Sequence, residues 1–245
     1  MNEFSYPDQN IMKVYLVIAT YNEKENISQL LKEILALAVA DLKIIVVDDN
    51  SPDGTAEIVR RDFADKPVQL IIRTAERGYG SAHLAGFKEA LAQGAEIIIS
   101  MDADFSHQPS VILEMIKQIE AGYEVVIGSR RVAGGQIVGW GIVRKTASQT
   151  AMVITRLILG IKTKDVTTGF RAYRAKVLPS LNLETIKSNG YSFLEELIYR
   201  CEKKNLKIKE IPITFNDRQQ GKSKFSIKEI IKFFVTIFKL RFSLK

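Results

Sequence analysis

The sequence predicts an α/β domain with a mostly parallel central sheet and helices on both faces. Three observations predict it. Short runs rich in Val and Ile recur at residues 12–18, 43–47, 68–72, 96–101 and 124–128. Each has the length of a buried strand. Helical patterns fill the gaps, and strands that alternate with helices imply a parallel, doubly wound sheet. The composition is globular, with 46% apolar and 26% charged residues among 245. That balance excludes disordered and fibrous chains, and the length supports a core without disulfides or a structural metal.

The helices follow in order. Ile27, Leu30, Leu31, Ile34 and Leu35 mark the apolar face of the first, with Asn22 as its expected cap and Glu25 as the capping-box acid. Residues 53–55 open a second helix that runs to Phe63, and residues 78–92 form a third. Pro109 starts a fourth, whose Ile112, Met115, Ile116 and Ile119 share one face. Beyond Ser129 the rhythm changes. Gly134, Gly135, Gly139 and Gly141 cluster, and residues 151–161 are apolar apart from Thr155 and Arg156. That segment is too short to span a bilayer, and core packing and a bilayer-facing role both suit it. A helix at 193–203, a strand at 207–214 and a basic loop at 218–224 follow. Cys201 falls on the apolar face of its helix and reads as core.

No repeat or linker divides residues 1–225, which read as one folded unit. Residues 226–245 read as a separate amphipathic segment. On a helical wheel Lys228, Glu229, Lys232, Thr236 and Lys239 share one side, and Ile, Phe, Val and Leu fill a wider arc. This is the pattern of a helix lying in a membrane interface. Charge is concentrated at the same end: residues 203–245 hold 12 Lys and Arg against 3 Asp and Glu, whereas the first 202 hold 23 against 25. The aromatics there lie on the apolar arc and do not interleave with lysines, so a nucleic-acid-binding module is the weaker alternative and no nucleic acid is expected. One cysteine excludes a disulfide framework. Residues 1–10 lack the apolar core of a signal peptide, and no run reaches the roughly 20 apolar residues of a spanning helix. The expected location is therefore peripheral, on the cytoplasmic face of a membrane.

Acids sit where strands end. The first strand runs into Thr20-Tyr21-Asn22-Glu23, the second into Asp48-Asp49 and the fourth into Asp102-Ala103-Asp104. Ligands of open α/β sheets bind beyond the carboxyl ends of the strands. Carboxylates packed there would repel, and a divalent cation or a cationic ligand relieves the repulsion. Hard oxygen donors favour Mg²⁺ or Mn²⁺, with positions left open for phosphate.

The strings VIATYNEKENI, IIVVDDNSPDGT, RGYGSAHLAGF, MDADFSHQP, GSR, DVTTGFRAYR and RQQGKSK occur in this order. Together, over about residues 14–240, they resemble the family 2 glycosyltransferases of the Rossmann-like A-type fold, and most closely the dolichol-phosphate (polyprenol-phosphate) mannose synthases. The resemblance implies inverting transfer of mannose from GDP-mannose to a polyprenyl or dolichyl phosphate; transfer of glucose from UDP-glucose is the alternative. It implies that Ala19, Tyr21, Glu23, Asp48 and Asp49 hold the nucleotide and that Asp102 and Asp104 hold the cation and the diphosphate. Ser106 falls at a third metal position. Arg130 matches a phosphate-binding arginine, and Arg144 and Ser148 match a second arginine and hydroxyl on one helix face. Arg218 and Lys224 match a loop that closes on the diphosphate. Asp104 and Arg130 are thereby the expected catalytic pair. Asp165 and Arg171 organise the acceptor side, where Asp165 could orient an arginine. His107 reads equally as a loop residue bonded to backbone, and Glu195 and Glu196 as structural. Some members of such a family use small membrane-anchoring subunits.

Overall fold

The computed structural model describes residues 12–75, 77–186, 192–217 and 237–242. Five strands with four helices between them open the described part of the chain. They are β1 (Val14–Thr20), α1 (Lys24–Ala36), β2 (Leu42–Asp48), α2 (Thr55–Asp62), β3 (Val68–Ile72), α3 (Tyr79–Ala92), β4 (Ile97–Asp102), α4 (Val111–Glu120) and β5 (Val125–Ser129). Then come β6 (Gln136–Val138), α5 (Ile142–Leu159), β7 (Arg171–Arg174), two 3-10 turns, α6 (Ser192–Lys203), β8 (Ile208–Pro212) and β9 (Thr214–Asn216). A seven-stranded sheet runs β3-β2-β1-β4-β7-β5-β8. It is parallel except for β7, which is antiparallel to both β4 and β5.

The sheet is covered on both faces. Tyr15 and Val17 of β1 pack with Phe87 and Ala90 of α3, while Leu16 and Ile18 pack with Leu30 and Leu31 of α1. Successive side chains of a strand point to opposite faces. Both sets are buried, so β1 reads as an unbroken apolar run rather than an alternating one.

Four local expectations are corrected. Asn22 does not cap α1; its φ is 60°, and Glu23, which stands at the cap position, makes no side-chain capping bond. The loop after β2 does the work instead. The backbone N–H groups of Asn22, Glu23 and Lys24 donate to Ser51 Oγ, Thr55 Oγ1 and Asp53 Oδ2, each at 3.0 Å. The strand expected at 207–214 is two strands in different sheets, because β9 leaves β8 to pair with β6. The apolar run 151–161 belongs to the second half of α5, where Met152, Thr155 and Leu159 are buried and Val153, Ile154 and Leu157 are exposed. Strand β7 was not expected: it has four residues, two of them arginine.

Residues 237–242 are helical. Ile237 and Leu240 join the core, and Phe238 and Phe242 are exposed. The rest of the amphipathic segment lies outside the described residues.

Asp53 serves two helix starts. Its Oδ1 accepts the backbone N–H and hydroxyl of Thr55, at 3.0 and 2.6 Å, and its Oδ2 accepts from Lys24. The Asp53→Ala protein should lose about 1–2 kcal/mol of stability, read as an earlier midpoint of urea unfolding. An unchanged midpoint contradicts the shared anchor.

Candidate active site

The carboxyl ends of the parallel strands lie at one edge. Thr20 pairs in register with Asp48, and Ala19 with Asp102. Strand β7 runs the other way, so its N-terminal flank reaches the edge at which the parallel strands finish. It thereby delivers residues 165–170 to the site. It also parts β4 from β5 by one strand, a separation of roughly 10 Å between their ends.

At the end of β2 both acids already have partners. Asp48 is fully buried. It accepts from the Thr20 hydroxyl at 2.8 Å and from the Ser51 N–H and hydroxyl at 2.8 and 2.6 Å. Asp49 pairs with the Arg73 guanidinium and accepts the Gly78 N–H at 2.7 Å. The compensation expected from a cation is therefore supplied at this strand end by Arg73, a residue the sequence reading missed. Its signal was a charge placed directly after a strand. Ala19 and Tyr21 flank Asp48, and the Arg77 guanidinium lies over the Tyr21 ring at 5.3 Å. Glu23 accepts from the Asn26 side chain at 2.9 Å.

The Asp-x-Asp loop follows β4. The Tyr79 hydroxyl donates to Asp102 Oδ1 at 2.8 Å, and the Ser106 N–H donates to Asp104 Oδ1 at 3.1 Å. Phe105 takes a φ of 58°, which folds the loop back on itself. The Ser106 hydroxyl is buried without a hydrogen-bond partner among the described residues. Two carboxylates and one orphaned hydroxyl are hard oxygen donors, and they fit Mg²⁺ or Mn²⁺. Among the described residues no three His, Cys, Asp or Glu side chains gather for a metal. The chain thus offers a partial shell, of the kind substrate phosphate completes.

His107 is buried and stacks on Phe170, ring centroids 5.0 Å apart. Its Nδ1 lies 3.9 Å from Asp102 and has no hydrogen bond among the described residues. Burial holds its pKa below the ordinary value against the pull of Asp102 and Asp104.

The acceptor side is built on Arg130. Its backbone N–H, Nε and Nη2 all donate to Asp165, at 2.9, 2.7 and 2.6 Å, and Nη2 also reaches the Thr167 hydroxyl at 2.8 Å. Asp165 therefore does orient an arginine. Burial pushes its carboxyl upward, but Arg130 pulls it down to about 2. Burial likewise works against the Arg130 charge, and Asp165 with a contribution from Asp102 overcomes it, so the guanidinium is held more firmly protonated than usual. Asp165 is itself held from behind: Glu210 accepts the N–H groups of Lys164 and Asp165 at 2.8 and 3.0 Å.

Two more arginines join this face. Arg131 donates to Ser148 Oγ at 2.6 Å and to Gln149. Arg144 lies 3.9 Å over the Trp140 ring and pairs with Asp217 at 3.0 Å. Trp140 meets Phe215 edge-on, and Arg130 lies 5.1 Å over Phe215. A ladder of rings thus links the two expected phosphate arginines. Arg131, Trp140, Phe215 and Thr167 were missed, because nothing in their spacing marks tertiary neighbours. Arg218 and Lys224 lie outside the described residues.

An Asp-x-Asp loop ending a central strand, faced by a clamped arginine across one antiparallel strand, defines a glycosyltransferase of the A-type fold. Residues 15–181 match the description "Glycosyl transferase family 2", and the chain belongs to that family. It is 40% identical over 216 residues to the undecaprenyl-phosphate mannosyltransferase of Micrococcus luteus, covering 88% of each chain. It is 38% identical over 216 residues to the polyprenol monophosphomannose synthase of Mycolicibacterium smegmatis, covering 87% of this chain and 81% of that one. It is 38% identical over 232 residues to the dolichol-phosphate mannosyltransferase of Pyrococcus furiosus, covering 94% of this chain and 64% of that one. Among solved structures, glucosyl-3-phosphoglycerate synthase from Mycobacterium tuberculosis, in complex with Mn²⁺, UDP and product, superposes with a TM-score of 0.67. The identity is 18%, with 94% of this chain and 80% of that one covered, so the likeness is one of fold.

Behind the site lies a buried polar group of different character. Arg171 spans to the carbonyls of Leu194 and Val166, both at 2.8 Å, which is a structural role beneath the acceptor side. Glu196 pairs with Arg200, which reaches back to Leu181 and Thr185. Glu195 is fully buried, and neither carboxylate oxygen has a hydrogen bond among the described residues. Burial pushes its pKa up to about 8, against the pull of Arg171. Below its ordinary value of 4.5, folded and unfolded chains both carry the proton. As pH rises towards 8 only the unfolded chain releases it, so Glu195 progressively costs stability. The Glu195→Gln protein should differ little from wild type at pH 4.5 and exceed it at pH 8 by on the order of 4 kcal/mol. Thermal unfolding at the two pH values reads this, and an equal difference at both contradicts the buried proton.

Proposed function

We propose that this chain transfers mannose from GDP-mannose to a polyprenyl phosphate, in one displacement with inversion at the anomeric carbon. The relatives' names support the sugar and the acceptor class. The Arg130–Asp165 pair facing Asp102 is the observation that carries the reading. It puts a fixed guanidinium opposite the carboxylates that would hold the counter-cation of a diphosphate.

The acceptor is a phosphate monoester with a second pKa of about 6. It is already an oxyanion near neutral pH and needs positioning more than a general base. Arg130 holds that anion, with Arg144, Arg131 and Ser148 flanking it. The phosphate oxygen forms a bond to the anomeric carbon while the bond from that carbon to the diphosphate oxygen breaks, and the electron pair leaves with the nucleoside diphosphate. Asp102, Asp104 and Ser106 hold Mg²⁺ or Mn²⁺, which when bound supplies Lewis-acid stabilisation of the departing diphosphate. Ala19, Tyr21, Glu23, Asp48 and Asp49 shape the nucleotide side. Arg218 and Lys224 are assigned to the same diphosphate.

The acceptor lives in a bilayer, so the protein works peripherally, at the cytoplasmic face. The exposed Ile142, Val143, Val153 and Leu157 of α5 support this, standing beside Arg144 and Ser148. Among the described residues no helix is long and apolar enough to cross a membrane. The sequence of residues 226–245 is basic and amphipathic, and Phe238 and Phe242 within it are exposed. Small membrane subunits would complete the assembly.

The test is incubation with labelled GDP-mannose or UDP-glucose, a polyprenyl phosphate and Mn²⁺. Label from GDP-mannose should enter the lipid with inverted configuration. Chelation should abolish transfer, and Asp102→Ala or Asp104→Ala should lower it by about 100-fold or more with the fold retained. Glucolipid formed in place of mannolipid would overturn the donor assignment.

A further inference from the structure

We infer that Tyr79 is a positioning residue that fixes the carboxylate plane of Asp102 and thereby tunes which divalent cation the site accepts. The inference rests on the assignment of Asp102 and Asp104 to the cation and diphosphate.

The phenol is located from several directions. Its hydroxyl donates to Asp102 Oδ1 at 2.8 Å. Its ring meets His83 edge-on, centroids 4.5 Å apart, and His83 stacks in turn on Phe193 at 6.3 Å. The preceding peptide is pinned because the Gly78 N–H donates to Asp49 Oδ2 at 2.7 Å. Gly78 holds a φ of 148°, which side chains rarely adopt. On the remaining side stands Gly169. A Cβ there would lie 2.1 Å from the Tyr79 hydroxyl oxygen and 3.0 Å from Asp102 Oδ1. Gly169 cannot drift away, because the Ser100 hydroxyl donates to its carbonyl at 2.7 Å. The glycine of the DVTTGF run and the tyrosine of the RGYG run thus close one small joint around a single carboxylate oxygen.

The joint has a chemical consequence. Partners that orient a ligating carboxylate set the geometry it offers the metal, and their loss commonly costs 10–100-fold in affinity or activity. Magnesium demands a near-ideal octahedron and dehydrates reluctantly. A carboxylate free to swing should therefore harm magnesium-supported binding more than manganese-supported binding. A phenol that served only packing would leave the preference between the ions unchanged, since Tyr79→Phe keeps the ring against His83.

The experiment is calorimetric binding of GDP or UDP, whichever wild type binds more tightly, with Mg²⁺ and with Mn²⁺ in parallel. The proteins are wild type, Tyr79→Phe, Gly169→Ala, the double variant and Asp102→Ala, with thermal unfolding as the check on folding. Tyr79→Phe should melt like wild type and bind about 10-fold more weakly with Mg²⁺, with a smaller loss with Mn²⁺. Gly169→Ala should bind poorly with either ion. The double variant should recover part of that loss, because the oxygen that the new methyl would strike is gone. If Asp102→Ala loses cation-supported binding and Tyr79→Phe equals wild type with both ions, the inference is overturned and the assignment of Asp102 stands. A double variant no better than Gly169→Ala also overturns it. If Asp102→Ala binds as wild type does, the assignment itself fails.

Discussion

The pairing of Arg130 with Asp165 is the interaction on which the rest of the site depends. Both groups are buried, and removing one partner of such a pair strands the other's charge at a cost of about 3–5 kcal/mol. Three donors from one arginine meet the two oxygens of one carboxylate, so position and angle are set together. The pair also joins distant pieces of chain. Arg130 follows β5, Asp165 precedes β7, and Glu210 of β8 grips the Asp165 backbone. Glu202 of α6 fastens the same loop one turn earlier, by accepting the N–H groups of Lys162 and Thr163. The Arg130 guanidinium is thus placed by Asp165 directly, and at one remove by Glu210 and Glu202, which hold the loop that carries Asp165.

Charge is divided across the site by the same logic. Asp48 and Asp49 are spent on two hydroxyls, two N–H groups and Arg73, so they are part of the framework at the end of β2. Asp102 and Asp104 accept from the Tyr79 hydroxyl and the Ser106 N–H, and the Ser106 hydroxyl is buried without a hydrogen-bond partner among the described residues. The antiparallel β7 lies between β4, which carries this acidic loop, and β5, which leads into Arg130. It also sets the Asp165–Phe170 flank between them.

Much of this was legible in residue order. The five Val- and Ile-rich runs are strands because both sheet faces are covered, which leaves no polar alternation to obscure them. β3 falls on the expected residues 68–72, and α3 begins one residue from its expected start. The Asp-x-Asp loop and the buried Cys201 were equally readable, from strand-end position and helical face, while the orienting role of Asp165 came only with the family resemblance. What escaped was tertiary in origin. β7 is too short, and too rich in arginine, to read as a strand. The start of α1 is secured by a loop some thirty residues further on, so no local capping rule finds it. Arg73, Tyr79 and Trp140 gain their roles from side chains brought close only by folding.

The most direct test of the central claim is a double-mutant cycle on Arg130 and Asp165, read as kcat/KM for a polyprenyl phosphate, with cation-supported nucleotide binding as the check that the donor side survives. If Asp165 acts by placing Arg130, then Arg130→Ala and Asp165→Ala should each remove most of the activity, and the double variant should be no worse than the poorer single one. Losses that multiply would show the two residues working independently and would contradict the account.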